Sequence, residues 1–150
     1  MTTKTYNNRY QLSSLVVGTL KNLTYTRDNT GNITAITDIL NPSKNKSYTY
    51  DNLYRLTLST GSWGALTYAY DSTGNRTYET TDTGNTTYTY SINTNKLASV
   101  FGEKNLSFSY DNNGNTTTEN TKQYIYNQNQ RLTQVTDTGN ILGEYIYNGN

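Results

Sequence analysis

The chain has no cysteine and no histidine. The first absence excludes a disulfide framework, a thiolate nucleophile and a thiolate metal site. The second removes the commonest general base and the commonest metal ligand. Proline occurs once, as Pro42. No apolar run approaches the length of a membrane-spanning helix, and Leu15-Val16-Val17 is too short for the core of a secretory signal. Neither charge dominates: 12 basic and 11 acidic side chains are scattered singly, for a net charge of +1. The lack of a basic stripe argues against nucleic acid or an anionic membrane as partner.

Apolar residues are also scarce, at 32% of the 150 residues. Such poverty often accompanies disorder, but disordered chains are poor in aromatic and β-branched residues. This one carries 16 tyrosines and abundant threonine. Both fit a pleated, half-buried surface, so the composition predicts an ordered all-β protein in which tyrosine supplies much of the apolar burial.

The tyrosines are periodic. Tyr68-Ala69-Tyr70-Asp71-Ser72-Thr73-Gly74-Asn75-Arg76 reads as a strand end, a polar turn and the start of the next strand. Tyr68 and Tyr70 share one face of an extended chain, while Asp71 and Gly74-Asn75 are turn residues. Related pairs occur at Tyr48/Tyr50, Tyr88/Tyr90, Phe108/Tyr110, Tyr124/Tyr126 and Tyr145/Tyr147. In the second unit Tyr25 is followed by Arg27 at the second aromatic position, and in the first Tyr6 stands without a preceding aromatic. The anchors at 6, 27, 50, 70, 90, 110, 126 and 147 are 16 to 23 residues apart, which describes a repeat of about twenty residues.

Two turn sequences alternate. Asp28 to Asn32 (with Gly31), Asp71 to Asn75 (with Gly74) and Asp111 to Asn115 (with Gly114) contain Asp-x-x-Gly-Asn. The units at 6, 50, 90 and 126 lack that glycine and end in Gln11-Leu12, Arg55-Leu56 (after Asp51), Lys96-Leu97 and Arg131-Leu132. Further reversals are expected at Asn41-Pro42, Gly61 to Gly64, Asp82 to Asn85, Gly102 to Asn105 and Asp137 to Asn140. Each unit therefore holds two strands, of roughly six to eight residues. Hairpins stacked side by side bury what one hairpin cannot. The expected architecture is one array over residues 1–150, a curved sheet, shell segment or β-solenoid of antiparallel hairpins alternating in pairs. Neither end reads as capped, with Asn148-Gly149-Asn150 a shortened turn, so strand edges are available to further repeats or to copies of the chain.

The motifs of Tyr68 to Thr77 and of Tyr48 to Thr57 resemble the tyrosine–aspartate (YD) repeat of Rhs proteins, and the resemblance covers essentially the whole chain. It implies a β-hairpin ribbon wound into a hollow wall, as in bacterial polymorphic toxins, insecticidal toxin complexes and teneurins, and an extracellular or cell-surface location. In the toxins the shell encloses a C-terminal effector released by self-cleavage. No residue here matches the self-cleaving segment.

Three chemistries compete with turn and wall packing as readings of these residues. Asp111, Asn113 and Asn115 present oxygens at alternate positions, but Gly114 is fourth and Lys122 twelfth, against the sixth-position Gly and twelfth-position Glu of an EF-hand. Asp51, Asp71 and Asp111 are equivalent by repetition, with no convergent group to make a catalytic pair. Trp63, between Ser62 and Gly64, is the candidate exposed binding aromatic, for example for surface glycans, while Tyr-x-Tyr reads as wall packing. Asn-x-Ser/Thr sequons such as Asn22 and Asn75 follow from composition. The reading is a non-enzymatic structural protein with no catalytic residue, cofactor or metal: a shell segment around an effector, or a filament subunit joined through strand edges, or an adhesin.

Overall fold

The structure, a computed structural model, describes residues 1–148; the turn expected at Gly149-Asn150 lies outside them. The described fold is all-β apart from one short 3-10 turn, Pro42–Lys44. The strands are β1 Thr2–Tyr6, β2 Leu12–Val17, β3 Lys21–Arg27, β4 Ile33–Asp38, β5 Lys46–Tyr50, β6 Leu56–Gly61, β7 Gly64–Tyr70 and β8 Arg76–Thr80. They continue with β9 Asn85–Tyr90, β10 Leu97–Phe101, β11 Leu106–Tyr110, β12 Thr116–Glu119, β13 Lys122–Tyr126, β14 Leu132–Asp137 and β15 Asn140–Glu144. From β1 to β7 and from β9 to β15 each strand pairs with the next in the chain, always antiparallel. At four to seven residues the strands are shorter than the six to eight expected, because the polar turns occupy more of each unit than a two-residue hairpin loop does.

Two compact units are present: Met1–Tyr70 with Tyr78–Asn85, and Asp71–Thr77 with Thr86–Asn150. Both follow the same local rules. In Lys46–Tyr50, Leu106–Tyr110 and Lys122–Tyr126 the aromatic face is half-buried and the alternate Ser, Thr, Gln and Ile residues are exposed, as a period of two requires. The strands between them are half-buried on both faces, β4, β6 and β10 almost throughout. Burial is spread thinly. Among the described residues Val100, at 8% exposure, is the only buried apolar side chain, and Asp38, Ser59 and Thr86 are buried polar residues.

Register shows a feature that periodicity did not. Tyr50 pairs with Leu56 and Thr49 with Leu58, so Thr57 has no opposite residue. The same β-bulge leaves out Ser13, Thr34, Ala98, Thr117 and Thr133. An extra residue at this point interrupts the ladder and increases local twist. The residue is small or β-branched each time, and Thr57 Oγ1 lies 3.0 Å from Thr49 Oγ1.

Candidate functional site

The turns are built alike despite their two sequences. In Asp28 to Asn32 the Asp28 N–H donates to the Asn32 carbonyl (3.0 Å) and the Gly31 N–H to the Asp28 carbonyl (3.2 Å). Asp28 Oδ1 accepts the N–H groups of Thr30 (3.0 Å) and Asn32 (2.9 Å), and Oδ2 accepts the Asn32 amide (2.9 Å). Asp71 and Asp111 repeat this arrangement. The turns without glycine form the same backbone bonds, from Asp51 to the Arg55 carbonyl and from Asn127 to the Arg131 carbonyl, both 2.9 Å. Asp51 and Asn127 side chains accept the same two N–H groups. The turn at Ser91 is one residue longer and closes from Ser91 N–H to the Lys96 carbonyl.

The two classes differ at the fourth position. Gly31, Gly74 and Gly114 have φ of 100°, 95° and 91°; Tyr10, Tyr54 and Gln130 have φ of 58°, 61° and 61°. The lower values lie in the left-handed well that an L-residue enters at a cost, and the higher ones lie beyond it, where glycine alone is comfortable.

Every turn carboxylate is occupied by donors, and its acidity follows. The Thr30 hydroxyl and the Asn32 amide are the main causes that hold Asp28 down to about 2. The Asn75 amide, with Thr73, does the same for Asp71, also to about 2. Asp51 is lowered mainly by the Arg55 N–H and Asp111 mainly by the Asn115 amide. A carboxyl more acidic when folded contributes stability above its ordinary value near 4, and that contribution disappears as pH falls towards about 2. Circular dichroism melts should therefore be flat from pH 7 to 5 and fall in midpoint between pH 4 and 2. Changing Asp28, Asp51, Asp71 and Asp111 to Asn, the residue already at positions 7 and 127, should leave a folded protein with most of that acid sensitivity removed. An unchanged acid transition would count against the turn carboxylates as its source. No cluster of three or more metal-ligating side chains occurs among the described residues.

In five of the units the second aromatic reaches into the preceding hairpin. Tyr50 donates its hydroxyl proton to the Ile33 carbonyl (2.9 Å), Tyr70 to Leu56 (2.9 Å), Tyr90 to Arg76 (3.0 Å), Tyr110 to Leu97 (2.9 Å) and Tyr147 to Leu132 (2.7 Å). Ile33, Leu56, Leu97 and Leu132 each stand just before a bulged residue. The interrupted ladder frees a carbonyl there, and the tyrosine satisfies it. Burial of the ring raises the pKa of Tyr50 and Tyr90 above the ordinary phenol value, because desolvation disfavours the phenolate.

A cation covers several of the same rings. The Arg55 guanidinium lies 4.7 Å from the Tyr70 ring centre, Lys96 Nζ 5.5 Å from Tyr110 and the Arg131 guanidinium 5.4 Å from Tyr147. Each cation comes from the last position of a turn without glycine and meets the following unit's second aromatic. The basic residue before leucine in Arg55-Leu56, Lys96-Leu97 and Arg131-Leu132 was the signal for this role, though the sequence reading assigned it none. Arg76, from the other class, caps Tyr88 at 4.5 Å and donates to its hydroxyl.

The sequence matches the Teneurin YD-shell family over residues 1–150. The chain belongs to that family. Solved structures agree in fold. A TcdB2–TccC3–TEV crystal structure superposes with a TM-score of 0.68 at 15% identity, over 87% of this chain and 9% of the other. The Photorhabdus luminescens Tc holotoxin pore gives 0.65 at 20% identity, over 93% and 9%. This YD-shell chain thus spans about a tenth of those chains. No curated protein matches it.

The other aromatics of the YD-shell chain sit as follows. Tyr25, Tyr48, Tyr68 and Tyr126 are half-buried strand residues, as is Phe108, which pairs with Glu119. Tyr124 donates to Glu119 Oε2 (2.7 Å), a bond that pushes its pKa up to about 12. Tyr145 and Tyr147 follow β15 instead of lying in a strand, and both are largely exposed. Trp63 is 40% exposed, with its ring laid against Gly61 and Lys46 Nζ 5.3 Å from its centre.

Proposed function

We propose that this chain is a wall segment of an Rhs-type β-shell that encloses an effector polypeptide in an exported protein. The observation that carries the reading is the recurrent bond from a tyrosine hydroxyl to the carbonyl of the preceding hairpin. It serves a wall more directly than a site, because at Tyr50, Tyr70, Tyr90, Tyr110 and Tyr147 it ties a unit to its predecessor at 2.7 to 3.0 Å. Thin burial supports the same view: such a sheet gains its stability unit by unit from neighbouring repeats. The wall segment acts mechanically and carries out no chemistry of its own.

The test is electron microscopy of the full-length product of the native reading frame. A hollow particle with protein density inside it is expected, and deletion of the non-repeat C-terminal portion should empty the particle without collapsing the wall. A solid particle, or an extended fibre with no lumen, would refute the shell.

A further inference from the structure

The end of the first unit away from its Asp turns holds a groove of about 500 Å³. Leu20, Leu23, Tyr25 and Ile36 line its apolar part together with the Trp63 ring. Lys21, Lys44 and Lys46 line it as well, and the one acid among the lining residues is Asp38.

The acid does not balance the lysines. Asp38 is 8% exposed, and its Oδ1 accepts the N–H groups of Leu40 (3.1 Å) and Asn41 (3.0 Å). Its own N–H donates to Asn45 Oδ1 (2.8 Å). The carboxylate is thereby engaged with the backbone of the Ile39 to Asn45 connection. Among the described residues no carboxylate pairs with Lys21, Lys44 or Lys46. The groove is therefore basic within a chain whose charges nearly cancel.

Its aromatic wall is also held in place. A Cβ at residue 61 would fall 2.7 to 2.9 Å from three Trp63 ring carbons, so only glycine there admits the ring. A ring positioned in advance loses little freedom when a ligand arrives.

We propose that this groove binds a short, extended, acidic peptide segment that carries an aliphatic side chain. The aliphatic chain would lie on Leu23, Ile36 and Trp63, where apolar contact is released from water, and its flanking carboxylates would face Lys21, Lys44 and Lys46. The aliphatic lining favours a peptide over a glycan, whose hydroxyls would find few acceptors there. This inference goes beyond the shell reading and does not depend on it, since the groove lies wholly within residues 20–63.

Trp63 is the single tryptophan, so its fluorescence reports on the groove alone. Titration with an acetylated glutamate–leucine peptide should shift its emission saturably, and the lysine–leucine counterpart should not. The double variant Lys21→Glu/Lys44→Glu, which changes exposed side chains and spares the Lys46–Trp63 contact, should weaken binding by about tenfold with an unchanged circular dichroism spectrum. Raising salt to 1 M should weaken it similarly, because exposed charges are then screened beyond about 3 Å. Four outcomes would overturn the proposal: no saturable shift, an equal shift with the lysine peptide, unaltered affinity in the double variant, or a shift produced by oligogalacturonate and not by the peptide. Failure here leaves a hollow particle, and hence the shell, untouched.

Discussion

Replacing Tyr70 by alanine lowers the unfolding free energy by about 3 kcal/mol, while replacing it by phenylalanine costs about 1 kcal/mol. Three contributions are removed together by alanine. Half of a large aromatic's burial is worth roughly 1–1.5 kcal/mol. Loss of the hydroxyl leaves the Leu56 carbonyl without its partner, at about 1 kcal/mol. The Arg55 guanidinium 4.7 Å from the ring loses its seat, at about 0.5–1 kcal/mol. Phenylalanine retains the first and third contributions. Urea unfolding of the two variants and of wild type measures the difference. A double-mutant cycle with Arg55→Gln should return a coupling of roughly 0.5–1 kcal/mol with Tyr70. If phenylalanine and alanine proved equally damaging, the hydroxyl and not the ring would be the main tie. If both were silent, the cross-hairpin bond would have no part in stability.

The opposite ends of the turn classes should respond with opposite signs. Gly74→Val is expected to cost roughly 2 kcal/mol, because a β-branched side chain is forced to φ of 95°. Space is not the cause: a Cβ at Gly74 would meet nothing within 4 Å. Tyr10→Gly should instead stabilise by about 0.5 kcal/mol. It relieves roughly 1–2 kcal/mol of left-handed strain and gives back about half of that as unfolded-chain entropy. Tyr10 is 90% exposed, so little burial is lost. Thermal melts of the two variants decide the matter. A destabilised Tyr10→Gly would mean that Tyr10 makes a contribution other than its backbone geometry.

These two positions also mark how far the sequence could be read. Asp-x-x-Gly-Asn and its glycine-free alternate looked like two turn types. Both make the same hydrogen bonds, and the shared determinant is an Asp or Asn at the first position, whose side chain accepts two N–H groups. Tyrosine at positions 10 and 54 hid this, since nothing local marks a tyrosine as a left-handed residue. The reversals at Gly18-Thr19 and Asn120-Thr121 were missed for a similar reason: each is short, and only the pairing of the flanking strands reveals it.

Periodicity and composition determined the all-β class and the twenty-residue unit, and the motifs at Tyr48 to Thr57 and Tyr68 to Thr77 carried the resemblance to the family, because a period of two along a strand and a fixed turn chemistry are local properties written at every repeat. Periodicity did not determine where the tyrosine hydroxyls go, why the same bulge recurs beside the Asp and Asn turns, or which cation covers which ring. Those depend on atoms 13 to 17 residues apart brought together by strand pairing. Nor did it reveal that a glycine at 61 makes room for Trp63, or that three lysines from a strand, a 3-10 turn and another strand share one groove with a single engaged acid. Tertiary structure decided these points, because whether a carbonyl, a ring or a charge has a partner depends on what the neighbouring hairpin places beside it.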